Sequence, residues 1–76
     1  MKKVLELIIK NLVDNEKEVS INEITDEKSV HYEVKVAKED MGKIIGKQGK
    51  MAKSIRSIIK AIAIKEHKRA NVEFIG

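Results

Sequence analysis

The sequence predicts one α+β domain over residues 1–76, with elements in the order α-β-β-α-α-β. Its helices should cover one face of a three-stranded sheet, antiparallel or mixed. Three observations lead there. Apolar residues recur at three- and four-residue spacing near the N-terminus and again after residue 50, the period of an amphipathic helix. Between these stretches Val30, Tyr32, Val34 and Val36 alternate with His31, Glu33 and Lys35, the period of a strand with one wet face. Finally, 76 residues without proline, linker or internal repeat are too few to divide into two cores.

Residues 2–14 form the first helix. Val4, Leu5, Ile8, Ile9, Leu12 and Val13 share a face, Leu7 falls off it, and Asp14-Asn15 ends the pattern with turn-favouring residues. Residues 18–25 form a strand in which Val19 and Ile21 alternate. Ile24 sits on the wrong parity, so a bulge is expected near Asn22-Glu23. Asp26-Glu27-Lys28-Ser29 is a polar turn that joins this strand to the alternating one as an antiparallel hairpin. A short helix opens at Lys38-Glu39-Asp40, with acids where the helix dipole favours them. It carries Met41, Ile44 and Ile45 and stops at Gly46. The next helix begins at Gly49 or Lys50 and runs to about Lys68. Met51, Ile55, Ile58, Ile59 and Ile62 form its apolar stripe, with Lys53, Arg56, Lys60 and His67 on the other side. Val72-Glu73-Phe74-Ile75 closes the sheet as a last short strand.

The absence of cysteine excludes disulfides, zinc–thiolate sites and thiol nucleophiles. No apolar run approaches the ~20 residues that cross a bilayer. The basic start at Lys2-Lys3 lacks the apolar region of a signal peptide, because Glu6 and Lys10 interrupt it. A soluble, cytoplasmic protein is expected. The net charge of +4 is unevenly spread. Residues 38–69 hold ten Lys/Arg against three Asp/Glu, whereas the rest of the chain holds six against nine. Concentrated positive charge builds a field whose usual target is a polyanion. A membrane surface suits it less well, since no Trp or Phe accompanies the basic face. So small a core would also gain from a subunit interface.

The informative segment is Gly42-Lys43-Ile44-Ile45-Gly46-Lys47-Gln48-Gly49-Lys50, at the junction of two helices. A sharp turn there needs positive φ values, which glycine supplies without steric cost, and the missing side chains let another backbone come close. Lys47 and Gln48 project from a loop at a helix N-terminus, whose N–H groups and dipole attract phosphate. Lys43, Lys50 and Lys53 surround it, and Ile44 or Ile45 offers an apolar floor for bases. A bare GxxG could serve backbone conformation alone. The apolar pair before this one and the basic amphipathic helix after it favour a clamp on a sugar–phosphate backbone. Other phosphate motifs fail on spacing: a P-loop needs four residues between its glycines, and no GxGxxG exists.

Ile44-Ile45-Gly46-Lys47-Gln48-Gly49, entered by Glu39-Asp40-Met41-Gly42-Lys43 and left by Lys50-Met51-Ala52-Lys53-Ser54-Ile55-Arg56, resembles the KH signature. The element order resembles the type II KH arrangement, and length and motif placement resemble the KhpA family of small bacterial KH proteins. The resemblance implies that Gly46 and Gly49 let nucleic acid approach, that Lys47 and Gln48 contact phosphates, and that Ile45 lines the groove. KH domains grip about four nucleotides of single strand with this loop. Ala52 departs from the pattern, which often has a larger aliphatic residue there. With few aromatics for stacking, affinity should be modest and largely electrostatic. The resemblance further implies an RNA chaperone or post-transcriptional regulator linked to cell shape and cell-envelope homeostasis. It also implies self-association or pairing with KhpB, a larger KH-domain partner.

The remaining residues suggest no chemistry. His31 and His67 are isolated from cysteine and from paired carboxylates, so no metal site and no cofactor are expected. Ser54 and Ser57 have no evident base, and an enzyme is not expected. Ile64 lies within the basic face of its helix, opposite the apolar stripe, and is compatible with a partner surface. The leading function is single-stranded RNA binding through the loop. The alternative is a dimerisation adaptor that touches RNA weakly or only through its partner.

Overall fold

Val30, Tyr32 and Val34 put three apolar side chains on one side of a single strand, which then requires a covering layer above it. In the computed structural model, which describes residues 1–75, that strand is the middle of the sheet. Gly76, the last residue of the expected domain, lies outside the described residues. The elements are α1 (Lys2–Leu12), β1 (Ser20–Thr25), β2 (Ser29–Lys35), α2 (Met41–Ile45), α3 (Lys50–Lys65) and β3 (Arg69–Ile75). Short 3-10 turns occupy Glu16–Glu18, Lys38–Asp40 and Lys47–Gly49. The sheet order is β1-β2-β3. β1 runs antiparallel to β2, from Ser20 opposite Lys35 to Thr25 opposite Val30. β3 runs parallel to β2, from Ser29 opposite Arg69 to Lys35 opposite Ile75. The sheet is therefore mixed. The helical crossover between β2 and β3 returns the chain to the end where β2 began, which a parallel pair requires.

The core lies between the helices and one face of the sheet. Leu5, Ile9 and Val13 come from the α1 region, and Val30, Tyr32, Val34 and Val36 from β2 and the residue after it. Ile44, then Ile55, Ile59 and Ala63, and finally Ala70 and Val72 complete it. The buried line of α3 is Ala52, Ile55, Ile59 and Ala63. The two alanines let the helix lie close to its neighbours, and this rotates the contact line away from the expected stripe. Met51 and Ile58, expected in that stripe, are exposed instead.

Two further expectations are corrected. β1 contains no bulge, because its pairing with β2 is unbroken from Ser20 to Thr25. Ile24 simply stands on the open face opposite His31, 52% exposed. Glu23 and Thr25, on the helix-facing parity, are exposed as well, so the helical layer does not reach that end of the edge strand. The last helix ends at Lys65 rather than near Lys68, because His67 takes a left-handed conformation with φ 58°. There Lys68 N–H donates to Ala63 O at 2.8 Å and His67 N–H to Ile64 O at 3.0 Å. This is the double bond pattern that commonly closes a helix around a glycine, with histidine in the glycine position. Strand β3 accordingly starts at Arg69, which is tied to the hairpin turn by its N–H donating to Lys28 O at 2.8 Å.

Candidate functional site

The corner between α2 and α3 is built from backbone conformations that few side chains allow. Gly46 ends α2 at φ 70°, ψ −175°, a region open essentially to glycine alone. A Cβ at Gly46 would sit 2.7 Å from the Cβ of Met51. Gln48 and Gly49 follow in left-handed conformations, at φ 56° and φ 74°. Unlike Gly46, Gly49 has open space around it, so only its φ argues for glycine. The double left-handed step throws Lys47 and Gln48 outward, and both are exposed. Lys50 and Lys53 are exposed on the first turn of α3, whose N-terminus has no side-chain cap. Ile44 is fully buried in the core, whereas Ile45 is exposed beside the corner. Among the described residues, none of Lys47, Lys50 and Lys53 has a carboxylate within ion-pair distance.

Asp40 is the residue that the sequence concealed. It was expected to favour a helix dipole, yet its side chain makes no cap there. Its carboxylate instead reaches the chain leaving α1. Asp14 N–H donates to Oδ1 at 3.2 Å, and Asn15 donates to Oδ2 from its backbone and from Nδ2, both at 3.0 Å. Burial alone would push the Asp40 carboxyl up. The bonds from Asn15 and Asp14, with Lys43 nearby, outweigh that and hold it below the usual carboxylate value. Asp40 therefore anchors the entry to α2, and through it the corner, to the end of α1. Lys43 belongs to this anchor. It pairs with Asp14 and lies 3.9 Å from Asp40, and the Asp14 bond holds its ammonium above the usual lysine range. Its charge is thus partly neutralised before any ligand arrives.

Comparison with known proteins decides the family. Residues 2–74 match the family model described as the KH domain of KhpA and KhpB. The chain belongs to the KhpA/KhpB KH-domain family. It is 59% identical to the RNA-binding protein KhpA of Clostridium acetobutylicum, over 99% of this chain and all of that protein. It is 52% identical to the KhpA of Caldanaerobacter subterraneus subsp. tengcongensis, again over 99% of this chain and all of the relative. The KhpA of Borreliella burgdorferi is 43% identical over 95% of this chain and 88% of its own length. No solved structure gives a significant match. The α-β-β-α-α-β order and mixed three-stranded sheet fit a KH domain, as the sequence led us to expect.

Other features of this KhpA/KhpB chain lie away from the corner. His31 is not isolated from carboxylates, contrary to the sequence reading. Parallel pairing places Glu73 opposite Glu33, and His31 Nε2 is 3.4 Å from a Glu73 carboxylate oxygen. Potential ligand atoms of His31, Glu33 and Glu73 all lie within 4.8 Å of one another on the open sheet face. Because β2 and β3 are distant in sequence, no local pattern announces that grouping. Asn22 Nδ2 donates to Glu33 at 3.1 Å, so the carboxylate is already engaged across the β1–β2 pair. Ser54 donates to Lys50 O of its own helix. Arg56 faces β3, where Nε donates to Val72 O at 3.1 Å and the guanidinium lies 5.2 Å from the centre of the Phe74 ring. Among the described residues, no helix is long and apolar enough to cross a membrane.

Proposed function

We propose that this chain binds single-stranded RNA at the Gly46–Gly49 corner. The observation that carries the reading is the corner itself, where glycine-dependent backbone presents exposed Lys47 and Gln48 beside Lys50 and Lys53, which have no ion-pair partner among the described residues. Gly46 and Gly49 admit the sugar–phosphate backbone, Lys47 and Gln48 meet phosphates, and Ile45 supplies an apolar surface for a base. Lys43 contributes as part of the anchor more than as a free cation. The naming of full-length relatives as RNA-binding proteins supports the same reading. On this reading the module acts without catalysis, as an RNA chaperone or post-transcriptional regulator in the cytoplasm, with the role in cell shape and the cell envelope that the resemblance implies.

A second reading, as a dimerisation adaptor pairing with itself or with a KhpB-like protein, is favoured by exposed apolar side chains. Leu7 on α1 is 65% exposed and Ile64 on α3 is 71% exposed, while Met51 and Ile58 flank the buried line of α3. The test separates the two. Wild type and the variant Lys47→Asp with Gln48→Asp are titrated into a short labelled single-stranded RNA at two salt concentrations. We expect the variant to keep its unfolding transition and its oligomeric state while affinity falls about tenfold or more, as lost phosphate contacts dictate. Equal binding by both proteins sinks the corner as the RNA clamp and leaves the adaptor.

A further inference from the structure

A cavity of about 510 Å³ opens at the end of α3 remote from the corner. Val30, Ala70 and Ile64 give it apolar walls, Lys60, Lys68 and Arg69 line it with charge, and no carboxylate joins them. Its volume is in the range of sites that take a small molecule the size of a nucleotide. Among the described residues, Lys60, Lys68 and Arg69 have no carboxylate within ion-pair distance. The nearby Asp26 carboxylate is already held by the N–H groups of Lys28 and Ser29 and by the Ser29 hydroxyl. Three cations therefore border an apolar hollow without a direct ion pair among the described residues, and Asp26 lies within electrostatic reach of Lys68.

The same helix connects this cavity to the corner. Lys53, Lys60 and Ile64 are spaced by seven and four residues, so they fall on one stripe of α3. From Lys50 to Ile64 that stripe spans about 21 Å at 1.5 Å per residue. A KH loop grips about four nucleotides, and the stripe carries a cationic surface on from the corner to the cavity.

We propose that an RNA strand held at the Gly46–Gly49 corner continues along this stripe and seats a further nucleotide in the cavity. The base lies on Ile64 and Ala70, and Lys60, Lys68 and Arg69 take the flanking phosphates. Ile64 then serves as a shelf for a base rather than as a protein contact. The inference rests on the RNA reading above and extends it to a longer single strand.

The test compares labelled single-stranded RNAs of about four and about ten nucleotides, lengths that fill the corner alone and the corner plus the stripe. The proteins are wild type, Lys60→Gln with Arg69→Gln, the corner variant Lys47→Asp with Gln48→Asp, and a control, Lys10→Gln with Lys17→Gln. All substituted residues are exposed. Wild type should bind the longer RNA more tightly. The Lys60/Arg69 variant should lose about fivefold or more for the longer RNA and stay within about twofold for the shorter, because only the longer strand reaches those phosphates. The slope of log affinity against log salt should fall by about 0.7 for each phosphate contact removed. Equal affinity of wild type for both lengths overturns the extension and leaves the corner reading standing. An equal loss in the Lys10/Lys17 control overturns it too, since the effect is then general charge. Should the corner variant keep its grip on the longer RNA while the Lys60/Arg69 variant loses it, the corner reading fails and the cavity survives as the site. Failure of wild type to bind either RNA overturns both.

Discussion

Helix α3 ends in left-handed residues at both termini, and the two ends use them differently. At the C-terminus, His67 turns the chain so that His67 and Lys68 return their N–H groups to Ile64 and Ala63. The helix closes on itself there. At the N-terminus, Gln48 and Gly49 turn the chain with short-range bonds, a long 3.4 Å one from Gly49 N–H to Gly46 O and one from Lys50 N–H to Lys47 O, and no side chain caps the helix. The corner is instead held from outside, by Asp40 gripping the end of α1 and by the tight fit of Gly46 over Met51. One end is satisfied by its own backbone. The other is a frame held from outside that leaves Lys47, Gln48, Lys50 and Lys53 facing solvent.

The contrast breaks most sharply at the glycines. Gly46→Ala forces a side chain into a glycine-only conformation and onto Met51, so it should cost about 3 kcal/mol or more in denaturant unfolding. Gly49→Ala meets open space and should cost only about 1 kcal/mol for its left-handed φ. Equal costs would show that the corner is not held against Met51. Asp40→Asn removes the charge that anchors the corner and should lower the thermal midpoint by several degrees. Because the folded pKa of Asp40 lies below its ordinary value of 3.8, its contribution is complete above that value and disappears as pH falls through the lower folded one. Wild type should therefore lose stability across that acid range, and Asp40→Asn should lose less. The smallest effect has the opposite sign. His67→Gly relieves the left-handed histidine and should stabilise the protein by about 0.5–1 kcal/mol without changing RNA affinity.

Much of this frame is legible in the chain. The alternation from Val30 to Val36, the stripe of the first helix and the GxxG corner each announce themselves through local spacing. What escapes the sequence is set by contacts between distant segments or by backbone conformations that the residue type does not demand. Asp40 reads as an ordinary helix-start acid until the fold brings Asp14 and Asn15 to it. Lys43 reads as one cation among several until Asp14 takes it. The parallel course of β3 gathers His31, Glu33 and Glu73, which lie up to 42 positions apart. His67 and Gln48 carry no glycine to signal their left-handed φ, so the end of α3 is invisible and the second half of the corner only half visible. The off-parity Ile24 marks an exposed isoleucine on the open face and not a bulge at Asn22-Glu23, a distinction that residue type alone does not carry.

Arg56 has a consequence for how this protein behaves in a crowded solution. A three-stranded open sheet has two free margins, each a template on which another chain could lay a strand and begin an aggregate. At the β3 margin, Arg56 occupies the Val72 carbonyl and covers the Phe74 ring with a charged, planar group. An incoming strand would have to displace that guanidinium and leave it without its acceptor. One side chain of α3 thus discourages runaway strand addition along β3.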